Sequence, residues 1–306
     1  MTALIAIVGP TGSGKSELGL VLAGRYEGEI VNFDSIQVYR HFNIGAAKLP
    51  PQERRGIPHH LIDILEPDEV FTAGEFARRA GETVREICAR RRLPILVGGT
   101  GFYLRALVDG LFPGPGRNEQ LRQRLARRAP DRLHRLLARL DPAAARRIHP
   151  HDVPKMIRAL EVIVLARRPV TELFRQGRQR LEGFRILKIG LTPERETLYN
   201  RINRRTETMF SSGLIEEVRQ ILAAGHAETA KPLESHGYRQ VLQHLRGELS
   251  LQEAIFSAQR NTRQYAKRQV TWFRREQDVH WLRGFGDEPE IQRDALEIVN
   301  SWLARE

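Results

Sequence analysis

Short apolar runs alternate with helical patterns at both ends of the chain, and the middle breaks that alternation. Ala3 to Val8 is apolar throughout and reads as a buried strand, followed by a helical stretch from Glu17 to Ala23. Glu29 to Phe33 predicts a second strand ending at Asp34, His60 to Leu65 another, and Pro94 to Val97 a further buried one. Thr72-Ala73-Gly74-Glu75 carries a capping-box pattern, and Phe76, Ala80, Val84 and Ile87 give the helix after it one apolar face. The alternation predicts an α/β fold, a parallel sheet flanked by helices. Phe112-Pro113-Gly114-Pro115-Gly116 ends it, and from there to about Phe184 the pattern offers helices and turns but no strand. Phe184 to Leu191 then returns as a strand. The sequence therefore predicts a core of 1–113 and 185–306 with an inserted all-helical domain over 114–184. Helices follow over Glu194–Phe210 and from the capping box Ser250-Leu251-Gln252-Glu253 to about Arg275, with a last strand at Asp278–Leu282.

Charge sharpens this division. The chain of 306 residues carries a net charge of +12, and residues 114–184 hold +10 of it: 16 Arg and one Lys against seven acids. Positive charge concentrated in one segment is the footprint of a polyanion, and nucleic acid is the leading candidate. A single cysteine, Cys88, excludes an intramolecular disulfide and a cysteine-based zinc site. The apolar stretch after Met1 is used up by the first strand, and Leu160 to Ala166 is too short to span a bilayer, so a soluble cytoplasmic protein is expected.

The first strand and helix enclose Gly9-Pro10-Thr11-Gly12-Ser13-Gly14-Lys15-Ser16. Strand, G-x-x-x-x-G-K-S and helix in that order form a phosphate-binding loop (the P-loop NTPase-like arrangement). Glycines let backbone N–H groups turn toward a polyphosphate, and the helix start adds unpaired donors and a partial positive charge. Lys15 is expected to reach the outer phosphate, and the Ser16 hydroxyl to hold Mg²⁺. Parallel sheets bind ligands beyond the carboxyl ends of their strands, which places Asp34-Ser35-Ile36-Gln37 beside the loop, and Gly98-Gly99-Thr100-Gly101 is the turn after the Pro94–Val97 strand. Arg201 and Arg205, four apart, share one helix face that can turn toward the phosphates. These residues alone leave the chemistry open: an acid at Asp34 also suits an ATP-dependent kinase, and a nucleotide-switched RNA-binding protein would show the same loop.

Several stretches resemble the bacterial tRNA dimethylallyltransferases. Besides 9–16, they are Asp-Ser-Ile-Gln-Val-Tyr-Arg (34–40), Gly-Gly-Thr-Gly-Phe-Tyr-Leu (98–104), Arg-Ile-His-Pro-His-Asp (147–152), Arg-Ala-Leu-Glu-Val (158–162), Gly-Tyr-Arg-Gln (237–240) and Thr-Arg-Gln-Tyr-Ala-Lys-Arg-Gln (262–269). They run in family order across nearly the full chain. The resemblance implies prenyl transfer from dimethylallyl diphosphate to N6 of the adenosine 3′ to the anticodon, with the inserted domain gripping the anticodon stem-loop. It implies that Asp34 and Thr100 serve the adenine amine and Arg205 the diphosphate. It also sets Asp34, Ser35, Ile36, Gln37, Thr100, Arg122, Pro154, Lys155, Met156, Ile157, Arg158, Gly237, Tyr238 and Arg239 against tRNA. One departure stands out: Glu234-Ser235-His236 precedes Gly237, and an acid there would repel RNA. A monomer is expected.

Overall fold

The computed structural model describes residues 2–175 and 177–305. Two compact units emerge, Met1–Leu107 with Glu182–Glu306, and Val108–Leu181.

The first unit is built on a parallel sheet. Its elements are β1 (Thr2–Val8), α1 (Lys15–Arg25), β2 (Gly28–Asn32), β3 (His59–His60), α2 (Ala73–Ala89), β4 (Leu93–Val97) and α3 (Gly101–Val108). The second unit follows with α4 (Glu119–Ala126), α5 (Pro130–Leu140), α6 (Pro142–Arg147), α7 (Val153–Ala166) and α8 (Val170–Arg175). The chain then returns through β5 (Phe184–Leu191), α9 (Arg195–Ser211), α10 (Leu214–Ala223), α11 (Tyr238–Leu245), α12 (Leu251–Phe273), β6 (Val279–Leu282) and α13 (Pro289–Leu303).

The sheet runs β3-β2-β4-β1-β5-β6. Leu4 to Val8 of β1 are fully buried, with β4 and β5 paired along the two edges of this central strand and helices covering its faces. Register aligns the carboxyl ends: Ile7 pairs with Val97, Asn32 with Val97, and Val8 with Gly190. The residues just past β1, β2 and β4 are therefore neighbours, although they lie far apart in sequence. The expected strand over 60–65 shrinks to β3 plus an isolated Tyr39–Leu65 bridge. Leu61 and Asp63 take left-handed backbone (φ 59° and 56°), which no strand can continue through. At Thr72 only half of the capping box forms: its hydroxyl accepts from Glu75 N–H, while the Glu75 carboxylate turns to Arg78 and Arg79.

The second unit has its own core, with Leu125, Leu133, Leu137, Met156, Leu160 and Val162 buried together. No strand forms among its described residues. Its boundary falls at 108 and 181, where sequence pattern alone suggested 114 and 184. The Gln179 N–H bonds the Leu111 carbonyl at 3.3 Å, so the chain pairs with itself before the Pro-Gly break is reached.

Candidate active site

A cavity of about 570 Å³ opens beyond the carboxyl ends of β1, β2 and β4 in the first unit. Thr11, Gly12, Gly14, Lys15 and Ser16 line one side; Asp34 to Gln37 and the Gly98-Gly99 turn line the other.

The phosphate loop has the conformation its glycines allow. Gly14 caps α1 at φ 83°, and a Cβ there would stand 2.5 Å from the Asp287 carboxylate, so only glycine fits. Among the described residues no acceptor meets the backbone N–H groups of Gly12, Gly14, Lys15 or Ser16. The Ser13 hydroxyl is buried without a hydrogen-bond partner. The unpaired N–H groups at this loop and helix start form a set of donors that an anion seated in the loop would satisfy.

Two cations accompany these donors. Lys15 Nζ donates to the Pro10 carbonyl at 2.7 Å, and burial lowers its pKa to about 7; the negative charge of Asp34 opposes the shift and the positive charge of Arg205 adds to it. Arg205 reaches from α9 to the Thr11 hydroxyl at 2.7 Å. Burial, with Arg201 nearby, lowers its pKa, and Asp34 pulls the other way. No carboxylate pairs with Arg205 among the described residues, whereas Arg201 is bound to Asp287 at 2.8 Å and lies over the Phe285 ring. Of the two arginines on that helix face, Arg205 is the one left for a ligand.

Across the cavity, Asp34 stands two residues past β2. Its Oδ1 accepts from the Ile36 and Gln37 N–H groups at 2.8 and 3.3 Å, which holds the carboxylate in one orientation without neutralising it. Thr100 Oγ1 accepts from the Ser35 N–H at 3.1 Å, tying the turn after β4 to the turn after β2. Gln37 Nε2 bonds the Ala46 carbonyl at 3.0 Å. The phosphate loop and Asp34 therefore line one cavity, and Thr100 is held against the Asp34 turn through the Ser35 N–H.

Of the residues expected against RNA in 122–158 and 237–239, the fold buries Met156, Ile157, Gly237 and Tyr238. Tyr238 is fully buried: its hydroxyl donates to Glu217 at 2.6 Å and accepts from the Ala46 N–H at 3.1 Å. Glu217 also accepts from the N–H groups of Asn43 and Ile44, so this pair fixes the 43–46 wall of the cavity from behind. Gly237 is buried too, and only Arg239 of that trio is exposed. In the helical unit, Met156 and Ile157 face its apolar core, while Pro154 and Lys155 are exposed. Arg122 and Arg158 both turn to the buried Glu161, at 3.1 and 2.7 Å. Glu234, the acid feared as repulsive, is paired with Lys231.

Two residues of the site escaped the sequence reading. Tyr265 and Gln269 both line the cavity from α12, four residues apart and so on one helix face. Burial and the charge of Asp34 raise the Tyr265 pKa. His236 tilts against its ring with centroids 5.1 Å apart, and burial together with Arg268 lowers the imidazole pKa. That 4-residue spacing within Thr262–Gln269 was the available signal. A further cleft of about 410 Å³ runs along α12, lined by Lys267, Arg268, Trp272 and Arg275.

The sequence model of the IPP transferase family matches residues 37–276. The chain is 62% identical over 305 residues to the tRNA dimethylallyltransferase of Solibacter usitatus (strain Ellin6076), covering 99% of both chains. Against the tRNA dimethylallyltransferase of Koribacter versatilis (strain Ellin345) the identity is 54% over 302 residues, 97% of this chain and 98% of that one. Among solved structures, a eukaryotic dimethylallyltransferase acting on tRNA superposes with a TM-score of 0.87 at 27% identity, over 100% of this chain and 80% of that one. The tRNA isopentenylpyrophosphate transferase of Bacillus halodurans gives 0.74 at 38% identity, over 99% and 96%.

Proposed function

The chain belongs to the IPP transferase family, and from that premise we propose that it transfers a dimethylallyl group from dimethylallyl diphosphate to N6 of the adenosine 3′ to the anticodon of tRNA. The observation that carries the reading is that one cavity is lined both by the phosphate loop, with its unpaired N–H groups, and by Asp34, whose turn the Ser35 N–H ties to Thr100.

An exocyclic adenine amine is a weak nucleophile because its lone pair is delocalised into the ring. Asp34, pinned through Oδ1, takes the proton that the amine loses as N6 bonds to C1 of the allyl group. Thr100, fixed by the Ser35 N–H, orients the same amine. Breaking the C1–O bond leaves negative charge on the departing diphosphate. Loop N–H groups, Lys15 and Arg205 are already in place to receive it, so little reorganisation accompanies bond cleavage. No phosphoryl group moves. The reacting adenine cannot be reached while stacked in RNA, so it is flipped into the cavity.

Lys15 adds a proton linkage. With its pKa near 7, the lysine is part neutral in the free protein, and an incoming diphosphate raises that pKa and recharges it. Magnesium belongs to the same proposal. The Ser16 hydroxyl lines the cavity mouth, and with diphosphate oxygens and waters it makes the all-oxygen ligand set that Mg²⁺ prefers. A bound Mg²⁺ would supply neutralisation of the leaving group. The grip of the basic helical unit on the anticodon stem-loop rests on the family resemblance and on the +10 charge of residues 114–184, and a cytoplasmic monomer belongs to the same proposal; among the described residues no helix is long and apolar enough to cross a membrane.

Incubation with labelled dimethylallyl diphosphate and unmodified tRNA tests the reading. The label should appear on the base with release of diphosphate. Phosphoryl transfer from ATP, with no label on RNA, would instead support the kinase reading, which finds no counterpart among the relatives named above.

A further inference from the structure

Helix α12 delivers Gln269 into the space between two glycine turns. Its Oε1 accepts from the Thr11 backbone N–H at 2.7 Å, and its Nε2 donates to the Gly99 carbonyl at 2.9 Å. The side chain is 5% exposed, so neither bond competes with water. Thr11 belongs to the phosphate loop, and Gly99 immediately precedes Thr100. One planar amide therefore spans the donor side and the acceptor side of the cavity.

Two details set this bridge apart from ordinary packing. A Cβ on Gly99 would stand 2.2 Å from Gln269 Nε2, so the turn is shaped to admit this amide and nothing larger. The Thr11 N–H is also withdrawn from the loop donors that face the cavity: it is spent on Gln269, while the N–H groups of Gly12, Gly14, Lys15 and Ser16 stay unpaired. From the other side Thr11 Oγ1 is held by Arg205. Arg205, Thr11, Gln269 and Gly99 thus form a continuous chain of contacts from the diphosphate-binding cation to the turn that carries Thr100.

We infer that Gln269 is a positioning residue that sets the spacing between the phosphate loop and the Thr100 turn, and so couples occupancy of the donor site to binding of the acceptor base. The inference rests on the prenyl-transfer reading. Coupling of this kind is reciprocal: a donor that fixes Arg205 and Thr11 tightens the acceptor turn, and an acceptor base tightens the loop. Neither shortening nor recharging the side chain preserves the bridge. Glutamate keeps an acceptor for Thr11 but sets a carboxylate oxygen against the Gly99 carbonyl.

The test compares wild type with Gln269→Glu, Gln269→Ala and Gly99→Ala, each first checked for a cooperative thermal transition. Three quantities are measured: donor affinity alone, tRNA affinity with and without a non-hydrolysable thio-analogue of the donor, and single-turnover transfer. In wild type the analogue should tighten tRNA by at least about 5-fold, the low end of ordinary coupling. In the variants that factor should fall toward one. Transfer should drop roughly 10–100-fold, the cost of a misplacement of about 1 Å, while donor affinity alone changes little. Gly99→Ala approaches the bridge from its other end and should give the same pattern if Gln269 variants unfold. Unchanged coupling in a folded Gln269→Glu protein would overturn the inference, as would donor affinity falling in step with transfer. Wild-type protein that transfers no label to tRNA removes the premise itself, an outcome plainly different from either.

Discussion

Two regions of this protein carry positive charge, and they use it in opposite ways. In the α/β unit, Lys15 and Arg205 are desolvated, aimed at one loop, and face a single pinned carboxylate. In the helical unit, 16 arginines and one lysine spread over 114–184, mostly exposed, and the two most buried candidates are tied to Glu161. The first arrangement is preorganised: charges are held where charge develops in a reaction. The second is a diffuse field that attracts a polyanion without fixing atoms. Few, buried and exact in placement suits chemistry; many and exposed suits binding.

The contrast can be broken most severely at Asp34. Asp34→Asn keeps size and hydrogen bonding but cannot take a proton, so single-turnover transfer should fall roughly 10²–10⁴-fold. Donor affinity measured by equilibrium binding should hardly change. A loss of donor affinity restored by added Mg²⁺ would give Asp34 a metal-supporting role instead. Next in size is Arg205→Ala or Lys15→Ala. Each removes charge-assisted bonds to the diphosphate, worth about 1.5–3 kcal/mol, so donor affinity should weaken roughly 10–100-fold.

The pH dependence sharpens the same point. Burial brings the Lys15 pKa down to about 7, and a bound diphosphate should raise it again, so the lysine's contribution to donor binding should be complete below pH 7. Above it, affinity should fall by up to about tenfold per pH unit. Lys15→Met should bind weakly but without that slope. In the helical unit the expected effects are smaller. Glu161 is fully buried, and Arg158, the Asn118 N–H and Arg122 outweigh its burial to hold its pKa below the usual carboxylate range. Glu161→Gln should destabilise by about 1–3 kcal/mol in urea denaturation, because both arginines keep partial solvent access. Single exposed changes such as Arg124→Gln or Arg128→Gln should lower tRNA affinity only about two- to threefold at physiological salt, since each removes one phosphate contact among many.

The sheet and its loop were legible because they depend on local signals: unbroken apolar runs, a fixed glycine spacing and strand-end logic. The place of Asp34 followed from the same logic, since residues past parallel strands converge, whereas Thr100 entered through the family resemblance. What sequence could not reveal was direction. Gly237-Tyr238-Arg239 marks a segment near the site, but only the fold shows that Tyr238 turns inward to Glu217 and that Arg239 alone stays outside. Arg122 and Arg158 were legible as basic residues, but only the fold shows that Glu161, remote from Arg122 in the chain, pairs with both while each stays part-exposed. The bridging role of Gln269 was hidden for the opposite reason, although its spacing from Tyr265 was on view. Its partners are backbone groups at Thr11 and Gly99, and backbone partners leave no mark in a residue pattern.

A salt series on the wild-type protein tests the division of labour most directly, reading tRNA affinity and the single-turnover rate at saturating tRNA and donor side by side. Exposed charges are screened and must displace counterions, so log affinity should fall linearly with log salt, by roughly 0.7–0.9 per phosphate neutralised. The buried cations at the loop are shielded from that screening, so the saturated rate should stay flat over the same range. A saturated rate that fell in parallel with affinity would contradict the account, because the chemistry would then depend on the same diffuse field as the binding.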